Sequence, residues 1–286
     1  MKVVHTVQDL RAELEGKANV GFVPTMGALH EGHMSLIELA QKEAEFVVVS
    51  IFVNPTQFGD STDFAKYPKD LDQDIQRLES LDKAPDILFA PSVQEVYPEG
   101  LPERLEPRAG ALGSVFEGVS RPGHFEGMLH VVSWFFRAVE PQVAVFGAKD
   151  AQQLFLVKRM VHREFKDQIR IVEGETVRAE SMLALSSRNA RLSPEGLAAA
   201  PVLFEAMSSA SELIGEGVAP GIALEQAKKQ IESQPLAKLD YLALVSKESF
   251  APIADDFTGI ALMLVAAVVD GVRLIDNISF YIQEQE

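Results

Sequence analysis

The amino-acid sequence predicts an α/β protein with a doubly wound, Rossmann-like parallel sheet and a smaller α+β C-terminal domain. Short, continuously apolar runs alternate with amphipathic stretches over residues 1–176, as in parallel sheets that helices cover on both faces. After that region, helical stretches come first and adjacent strand patterns follow. We therefore expect two domains, residues 1–176 and 177–286.

The elements of the first domain follow from these runs in chain order. Strands are expected at 20–23, 46–53, 86–90, 143–146 and 169–172, because each run is short and apolar throughout. Helices are expected at 33–45, 69–82, 124–139 and 150–163, where apolar residues recur at helical spacing. Residues 92–123 are rich in proline and glycine, which predicts irregular structure beside the site.

The second domain has its own start and turn signals. Ser193 followed by Pro194 predicts an N-cap and first helical residue, opening a helix to about residue 214. Pro220 opens a second helix to about residue 233. Strands are expected at 239–245, 260–269 and 272–275, and Asp270-Gly271 predicts a hairpin between the last two.

Composition excludes several classes of function. The 286 residues carry a formal net charge of −16, which disfavours nucleic acid and acidic membranes as partners. There are no cysteines, which excludes disulfides, thiol catalysis and cysteine-bound metal. The N-terminal residues lack a signal-peptide apolar core, and the longest apolar stretch, 259–269, predicts a buried strand. We therefore expect a cytoplasmic protein.

The most informative motif joins the first long strand to its helix. Residues 24–33 read PTMGALHEGH, with His30 and His33 on either side of Gly32. A helix start attracts phosphate, glycine permits close approach of the backbone, and two imidazoles add side-chain donors. The motif therefore predicts a site for a nucleotide triphosphate. Zinc ligation and a solvated turn are the alternatives, and zinc is disfavoured because no cysteine completes a site.

Three further segments follow strands or the domain boundary and carry polar side chains. Residues 50–58 include Asn54 and Gln57, whose amides suit hydroxyls and carboxylates, although an ordinary polar loop has the same composition. Residues 146–153 place Lys149, a possible helix-capping Asp150 and Gln153 at a strand-to-helix junction. Residues 185–189 read LSSRN, a loop able to bind polyphosphate.

Taken together, these motifs resemble the pantothenate synthetases (pantoate–β-alanine ligases) within the His-x-Gly-His nucleotidylyltransferase superfamily. The resemblance covers nearly the whole length of the chain. Its motifs are 23–27 (VPTMG), 30–33 (HEGH), 50–55 (SIFVNP), Tyr67-Pro68, 120–125 (SRPGHF), Lys149-Asp150, 185–189 (LSSRN) and 273–277 (RLIDN).

The resemblance implies an ATP-dependent ligase with two half-reactions. The pantoate carboxylate attacks the α-phosphorus of ATP, giving pantoyl adenylate and pyrophosphate, and β-alanine then displaces AMP. It also implies Mg²⁺ bound with ATP, no tightly bound organic cofactor, and a homodimer. The C-terminal domain is expected to close over the reactive adenylate and exclude water.

The resemblance also assigns residues to roles. The expected catalytic residues are His30, His33, Lys149, Ser186, Ser187 and Arg188, with His33 as the proton donor. The expected ATP contacts are Met26, Gly27, Ala28, Leu29, His30, Glu31, Gly32, His33, Gly147, Ala148, Lys149, Asp150, Val177, Leu185, Ser186, Ser187 and Arg188. The expected substrate contacts are Pro24, Thr25, Met26, Phe52, Asn54, Gln57 and Gln153. Asp74 is the candidate metal ligand, although charge runs such as 70–74 more often face solvent.

Several positions depart from the family pattern. Ala148 replaces a customary Glu or Gln, Ser181-Met182 replaces Asp-Gly, and Glu175 stands where Pro is frequent. None of these changes removes a group assigned to the chemistry. Two rival functions remain: another His-x-Gly-His adenylyltransferase, which would not need the pair of glutamines, and a non-catalytic nucleotide-binding relative.

Overall fold

The computed structural model describes residues 1–58, 67 and 69–283, so Pro68 of the quoted motif lies outside the described residues. The chain divides into two compact units, Met1–Ala148 with Gln152–Glu175 and Lys149–Ala151 with Thr176–Glu286. The sequence placed a single boundary at residues 176 and 177. It gave no sign that Lys149–Ala151 groups with the C-terminal unit.

The first unit is built on a six-stranded, all-parallel sheet, which confirms the predicted fold class. The strand order is β1-β4-β3-β2-β5-β6. The strands are β1 (Lys2–Val4), β2 (Val20–Thr25), β3 (Phe46–Ile51), β4 (Ile87–Phe89), β5 (Val143–Gly147) and β6 (Arg170–Gly174). The direction of winding reverses between β2 and β5, and ligands of such sheets bind beyond the strand ends at this switch point.

Helices cover both faces of this sheet, as predicted. The helices are α1 (Val7–Leu14), α2 (Glu31–Glu43), α3 (Leu71–Glu79), α4 (Val93–Val96), α5 (Glu117–Ser120), α6 (His124–Val139) and α7 (Ala151–Phe165). One core cluster joins α6 and α7 to side chains such as Phe22 and Phe89. The other joins α2 and α3 to side chains such as Val23 and Val49. Alternate residues of each strand face opposite clusters, which explains why the strands are apolar throughout.

The second unit packs helices against a three-stranded antiparallel sheet with the order β7-β8-β9. Its elements are α8 (Pro194–Ala199), α9 (Val202–Gly215), α10 (Pro220–Glu232), β7 (Ala237–Ser246), β8 (Gly259–Val269) and β9 (Val272–Ile282). Asp270 and Gly271 form the predicted hairpin turn, both with positive φ, at 49° and 74°. Leu203, Met207 and Val265 belong to its core.

The single helix expected from Pro194 to about residue 214 is wrong, because the chain forms two helices with a turn at Ala200 and Pro201. Pro201 has no N–H to continue the helical ladder. Among the described residues, the stretch Pro194–Gly215 is the one that is long and apolar enough to cross a membrane. Its Leu203, Met207 and Ile214 are instead buried in the core of the second unit.

Candidate active site

The histidine motif forms the junction between β2 and α2. His30 is the N-cap of α2, so the helix begins at Glu31, two residues before the predicted start at residue 33. The Gly32 N–H donates to His30 Nδ1 at 3.2 Å, and the His30 N–H donates to His33 Nδ1 at 3.2 Å. The two ring centroids lie 4.1 Å apart. The cap therefore fixes both imidazoles against the backbone of the same turn.

This arrangement determines which ring nitrogen carries the proton. Because Nδ1 of each ring accepts a backbone N–H, the neutral form of each imidazole must carry its proton on Nε2. A Cβ at Gly32 would lie 2.9 Å from His30 Cε1, so only glycine leaves the His30 ring in this position. Two Nε2–H donors, fixed by the backbone, are suited to an anionic ligand.

The backbone N–H groups of the turn are already used, which corrects the expectation that they bind phosphate. Thr25 Oγ1 accepts the Gly27 N–H, and the His30 carbonyl accepts the His33 N–H at 2.7 Å. Within residues 27–33 of the described chain, the Glu31 N–H alone has no hydrogen-bond partner. Among the backbone N–H groups of 27–33, phosphate binding therefore stays a prediction for Glu31 alone.

Asp74, the candidate metal ligand, is buried instead of facing solvent, with 3% of its surface exposed. Its two carboxylate oxygens accept the N–H groups of Ala28 at 3.0 Å and Leu29 at 2.8 Å. Burial raises the pKa of this carboxyl above 3.8, while the two N–H groups and Arg77 oppose that rise. Its oxygens hold the turn as internal acceptors, and its role as a metal ligand stays a prediction.

Gln57 lies in a short 3₁₀ turn, Pro55–Gln57, beyond the end of β3. Its residue is 5% exposed, yet its side-chain amide forms no hydrogen bond with the described part of the chain. Its unpaired amide atoms are not fully sealed from solvent. A buried amide without a partner is costly unless a ligand satisfies it.

Asn54, an expected substrate contact, is hydrogen-bonded inside the protein. It is fully buried, and its Nδ2 donates to the Gly127 carbonyl at 3.0 Å. Its Oδ1 accepts from the Tyr97 hydroxyl at 2.7 Å and from Thr56 Oγ1 at 3.0 Å. Burial raises the pKa of the Tyr97 hydroxyl, which keeps it a donor. Asn54 therefore orients the 54–57 turn from inside the protein.

Two other expected substrate contacts also have internal roles. The Thr25 hydroxyl donates to the Ser50 carbonyl at 2.7 Å while accepting the Gly27 N–H. Phe52 is 5% exposed and packs with Tyr97 and Phe135 at centroid distances of 6.4 and 6.2 Å. Contact of either residue with substrate stays a prediction.

Gln153 and its neighbour Gln152 are bonded very differently. Gln152 is buried, donates to the carbonyls of Leu112 at 2.6 Å and Val115 at 2.9 Å, and accepts the Glu117 N–H at 3.2 Å. Gln153 is half-buried, and its amide has no partner among the described residues. The two glutamines expected to bind pantoate thus share one property, an unpaired amide at the carboxyl side of the sheet.

The sequence analysis missed His124, which supports the Gln57 turn. His124 is the first residue of α6, and its Nδ1 lies 3.0 Å from the Gln57 carbonyl oxygen. Its Nε2 lies 3.1 Å from Arg121 Nη1. Because Arg121 is always a donor, His124 Nδ1 must be the atom that donates to Gln57. The motif at 120–125 contained these residues, but its spacing gave no sign of this contact.

The second unit contains the expected cationic residues. Lys149 and Asp150 lie in a 3₁₀ turn, Ala148–Asp150, directly after β5 in the chain. The Lys149 carbonyl accepts from Asn277 Nδ2 at 2.8 Å, while its Nζ lies 3.8 Å from the Asp150 carboxylate. A weak, partly exposed ion pair leaves the ammonium able to bind another anion.

A tight hairpin leads into the serine–arginine loop. The Leu185 N–H donates to the Val177 carbonyl, and the Ala179 N–H to the Leu183 carbonyl, each at 2.9 Å. Met182 has a φ of 69° in the turn of this hairpin, where its N–H donates to the Ala179 carbonyl, and such a backbone conformation favours glycine. This geometry gives a physical reason for the glycine that the resemblance led us to expect at position 182.

The loop itself borders a cleft of the second unit. Ser186 caps the 3₁₀ turn Ser187–Arg191, and its Oγ accepts the Arg188 N–H at 3.2 Å. The Arg188 guanidinium forms no hydrogen bond or ion pair with the described residues. The cleft is shallow and open to solvent in part, and its polar lining comprises Lys149, Ser186, Arg188, Asn189, Arg273 and Asp276. Three of these side chains are cations in a chain of net charge −16, and of the three, Arg273 is paired with Asp240 at 2.7 Å.

A buried ion pair supports the same cleft. Arg178 binds both oxygens of Asp276, at 2.6 and 2.9 Å, and its guanidinium lies 4.2 Å from the centre of the Phe204 ring. The side chains are only 12% and 5% exposed. The pair connects Arg178, in the hairpin before the serine–arginine loop, to Asp276 in β9. It therefore supports the loop that carries Arg188.

The remaining expected contacts are at or near these elements. Pro24 and Met26 are half-buried, Glu31 is exposed, and Ser187 begins the 3₁₀ turn. Gly147 ends β5 and Ala148 follows it. Of the expected residues, the structure places the histidines and glutamines in the first unit and Lys149, Asp150 and the loop at 177–188 in the second. Within the described residues, no group of three or more His, Cys, Asp or Glu side chains is arranged to hold a metal ion.

Comparison with known proteins agrees with these features. The chain matches the Pantoate-beta-alanine ligase family over residues 2–279. It is 46% identical over 281 residues to a pantothenate synthetase of Thermus thermophilus, covering 98% of this chain and 100% of that protein. It is 44% identical to the Pseudomonas fluorescens enzyme of the same name, covering 97% of each.

Solved structures give the same result. The crystal structure of the Thermus thermophilus pantothenate synthetase superposes with a TM-score of 0.90, covering 97% of this chain and 99% of that one. A pantoate-beta-alanine ligase of Francisella tularensis, complexed with beta-gamma ATP and beta-alanine, is 36% identical and gives a TM-score of 0.77, covering 97% of each chain.

Proposed function

The chain belongs to the pantoate–β-alanine ligase family, and from this premise we propose that it joins pantoate to β-alanine at the expense of ATP. The pantoate carboxylate attacks the α-phosphorus of ATP, and pyrophosphate leaves. The β-alanine amine then attacks the acyl carbon of pantoyl adenylate, and AMP leaves with the bonding electron pair. The similarity to a relative solved with an ATP analogue and β-alanine supports this assignment.

The observation that carries the proposal is the pair of imidazoles fixed by the cap of α2. Adenylation creates negative charge on the leaving pyrophosphate, and fixed donors stabilise such charge without reorganising. His30 and His33 both have Nδ1 bonded to the backbone, which leaves Nε2–H as the donor of each. We assign to His33 the Nε2–H hydrogen bond to the leaving pyrophosphate, with the proton staying on Nε2 while negative charge develops on the phosphate oxygens.

The cations of the second unit have the complementary role. Lys149 and Arg188 are proposed to neutralise phosphate charge, with Ser186 and Ser187 as hydroxyl donors. The cation-lined cleft supports this role. The backbone of 147–150, together with Val177 and Leu185, is proposed to contact adenosine.

Gln57 and Gln153 are proposed to bind the carboxylate and hydroxyls of pantoate, with Met26 and Pro24 as apolar contacts. Their unpaired amides support this proposal. They also favour a pantoate ligase over another His-x-Gly-His adenylyltransferase, which would not need this pair.

Mg²⁺ is proposed to enter the site bound to the phosphates of ATP. Without a ligand cluster among the described residues, the protein has no preformed cage there, and Mg²⁺ commonly binds through substrate phosphates and water. When bound, the ion would neutralise charge on the phosphate oxygens. A homodimer in the cytoplasm remains the expectation from the family resemblance, and sedimentation velocity tests the dimer.

The test is the rate of pantoyl adenylate formation in a single turnover. We expect His33→Ala to reduce this rate by about 10²–10⁴, the usual effect of losing a proton donor or charge-stabilising group. The matched control is His162→Ala, because His162 is exposed and, within the described part of the chain, pairs with Asp167 alone. A near-normal rate in His33→Ala would remove His33 from the mechanism.

A further inference from the structure

Helix α3 holds the turn that precedes the catalytic histidines through two charged side chains. Asp74 accepts the N–H groups of Ala28 and Leu29, one on each carboxylate oxygen. Arg77, one turn further along the helix, donates from Nη1 to the Leu29 carbonyl oxygen. Both peptide groups that flank Leu29 are therefore bound by the same helix.

The turn has a conformation that needs such support. Gly27 and Ala28 are consecutive residues with positive φ, at 79° and 50°, and a residue with a Cβ disfavours this region. A Cβ at Gly27 would lie 2.9 Å from Asp74 Oδ2, so the carboxylate sits directly against the turn. Charge-assisted hydrogen bonds to two successive N–H groups offset the conformational cost at Ala28.

The contact reaches His33 through one peptide group. Arg77 binds the carbonyl oxygen of the Leu29–His30 peptide, and the N–H of that same peptide donates to His33 Nδ1. A rotation of this peptide would remove the donor that holds the His33 ring and sets its tautomer. The orientation of His33 Nε2–H therefore depends on a helix about forty residues away in the chain.

We propose that Asp74 is a positioning residue for adenylation: its carboxylate fixes the turn at 27–29, and this turn, together with Arg77, fixes the adjoining Leu29–His30 peptide that holds the His33 imidazole. This inference rests on the proposed role of His33. It gives a buried acidic side chain a function that requires no metal.

The experiment compares Asp74→Asn with Asp72→Asn. Both residues lie in the first turn of α3, and both substitutions remove one negative charge, but Asp72 is exposed. Asn at 74 retains one acceptor oxygen and places an NH₂ opposite the other N–H. We expect pantoyl adenylate formation to slow about ten- to hundredfold, the usual effect of losing a supporting contact, with the KM for pantoate unchanged within about threefold.

The second readout is the tautomer of His33, from ¹⁵N–¹H correlation spectra of the imidazoles, assigned with His33→Ala. We expect Nε2–H in the natural chain and in Asp72→Asn, and a mixture of Nε2–H and Nδ1–H in Asp74→Asn. Arg77→Met, which removes the donor to Leu29, should give the same mixture, and it replaces Asp74→Asn if that variant does not fold.

A rate within twofold of the natural chain, or a slower rate with an unchanged His33 tautomer, would overturn the proposal. If the natural chain itself formed no pantoyl adenylate, the proposed function would fail instead. The tautomer comparison would still test whether Asp74 positions His33.

Discussion

Replacing Gln57 with alanine should weaken pantoate binding while leaving ATP binding and the fold nearly intact. Its amide has no partner in the described chain, so truncation removes no internal hydrogen bond. A ligand that satisfies both ends of the amide gains two hydrogen bonds of about 0.5–1.5 kcal/mol each. The loss is therefore about 1–3 kcal/mol, or about 5- to 150-fold in the Kd for pantoate.

Gln152→Ala is the contrasting variant, because the amide of Gln152 bonds Leu112, Val115 and Glu117. Truncating it leaves buried backbone groups unpaired and should lower the free energy of unfolding by about 2–4 kcal/mol. Gln57→Ala loses mainly one buried methylene, about 0.8 kcal/mol. Both variants remove a glutamine side chain from the first unit. Comparing them therefore separates an effect on pantoate binding from an effect on stability.

The assay is calorimetric titration of pantoate into each variant saturated with α,β-methylene ATP, an analogue that blocks adenylation. Differential scanning calorimetry of the unliganded chains gives the stability of each variant. Equal losses of affinity for pantoate and for the ATP analogue in Gln57→Ala would refute the assignment. A stability loss as large as that of Gln152→Ala would refute the claim that its amide is unpaired.

Three further predictions concern stability. Met182→Gly should raise the free energy of unfolding by about 0.5–1 kcal/mol. Glycine removes the steric cost of a positive φ, and this gain exceeds the backbone entropy that glycine loses on folding. An unchanged or lower urea midpoint would contradict this. Asp276→Ala should lower the free energy of unfolding by about 3–5 kcal/mol, because it leaves the buried Arg178 guanidinium without its carboxylate. Asp240→Ala removes a carboxylate from an exposed pair and should lower it by about 1 kcal/mol or less. Equal losses in urea unfolding would argue against a special role for the buried pair. Burial raises the pKa of Asp74 above 3.8. At a pH just above 3.8, this carboxyl therefore keeps its proton in the folded chain and loses it in the unfolded chain. As pH rises from 3.8 through the folded pKa, the contribution of Asp74 to the free energy of unfolding falls. Asp74→Asn should remove that part of the pH dependence in calorimetry, and parallel stability–pH curves would contradict it.

The main strands could be predicted because burial on both faces leaves a strong signal in sequence. Strand β1 and helix α1 were not predicted because they lack this burial signal. β1 has three residues at the sheet edge, of which Val4 alone is buried, and α1 buries only Leu10. Short elements with one buried residue carry too little periodicity to be recognised.

The site residues were found by motif, but their bonding could not be inferred from the sequence. Histidine is not a common N-cap residue, so the sequence placed the start of α2 too late. The contact of Asp74 with Ala28 and Leu29 joins positions 45 and 46 residues apart, and no local pattern encodes it. The same holds for Asn54, whose partners Tyr97 and Gly127 come from other elements.

The central claim is that the chain activates pantoate by adenylation before the amine reacts. The most direct measurement is exchange of labelled pyrophosphate into ATP by the natural chain, with pantoate and Mg²⁺ present and β-alanine absent. The account predicts exchange that requires pantoate and does not require β-alanine. Exchange that strictly requires the amine, or that proceeds equally without pantoate, would contradict it.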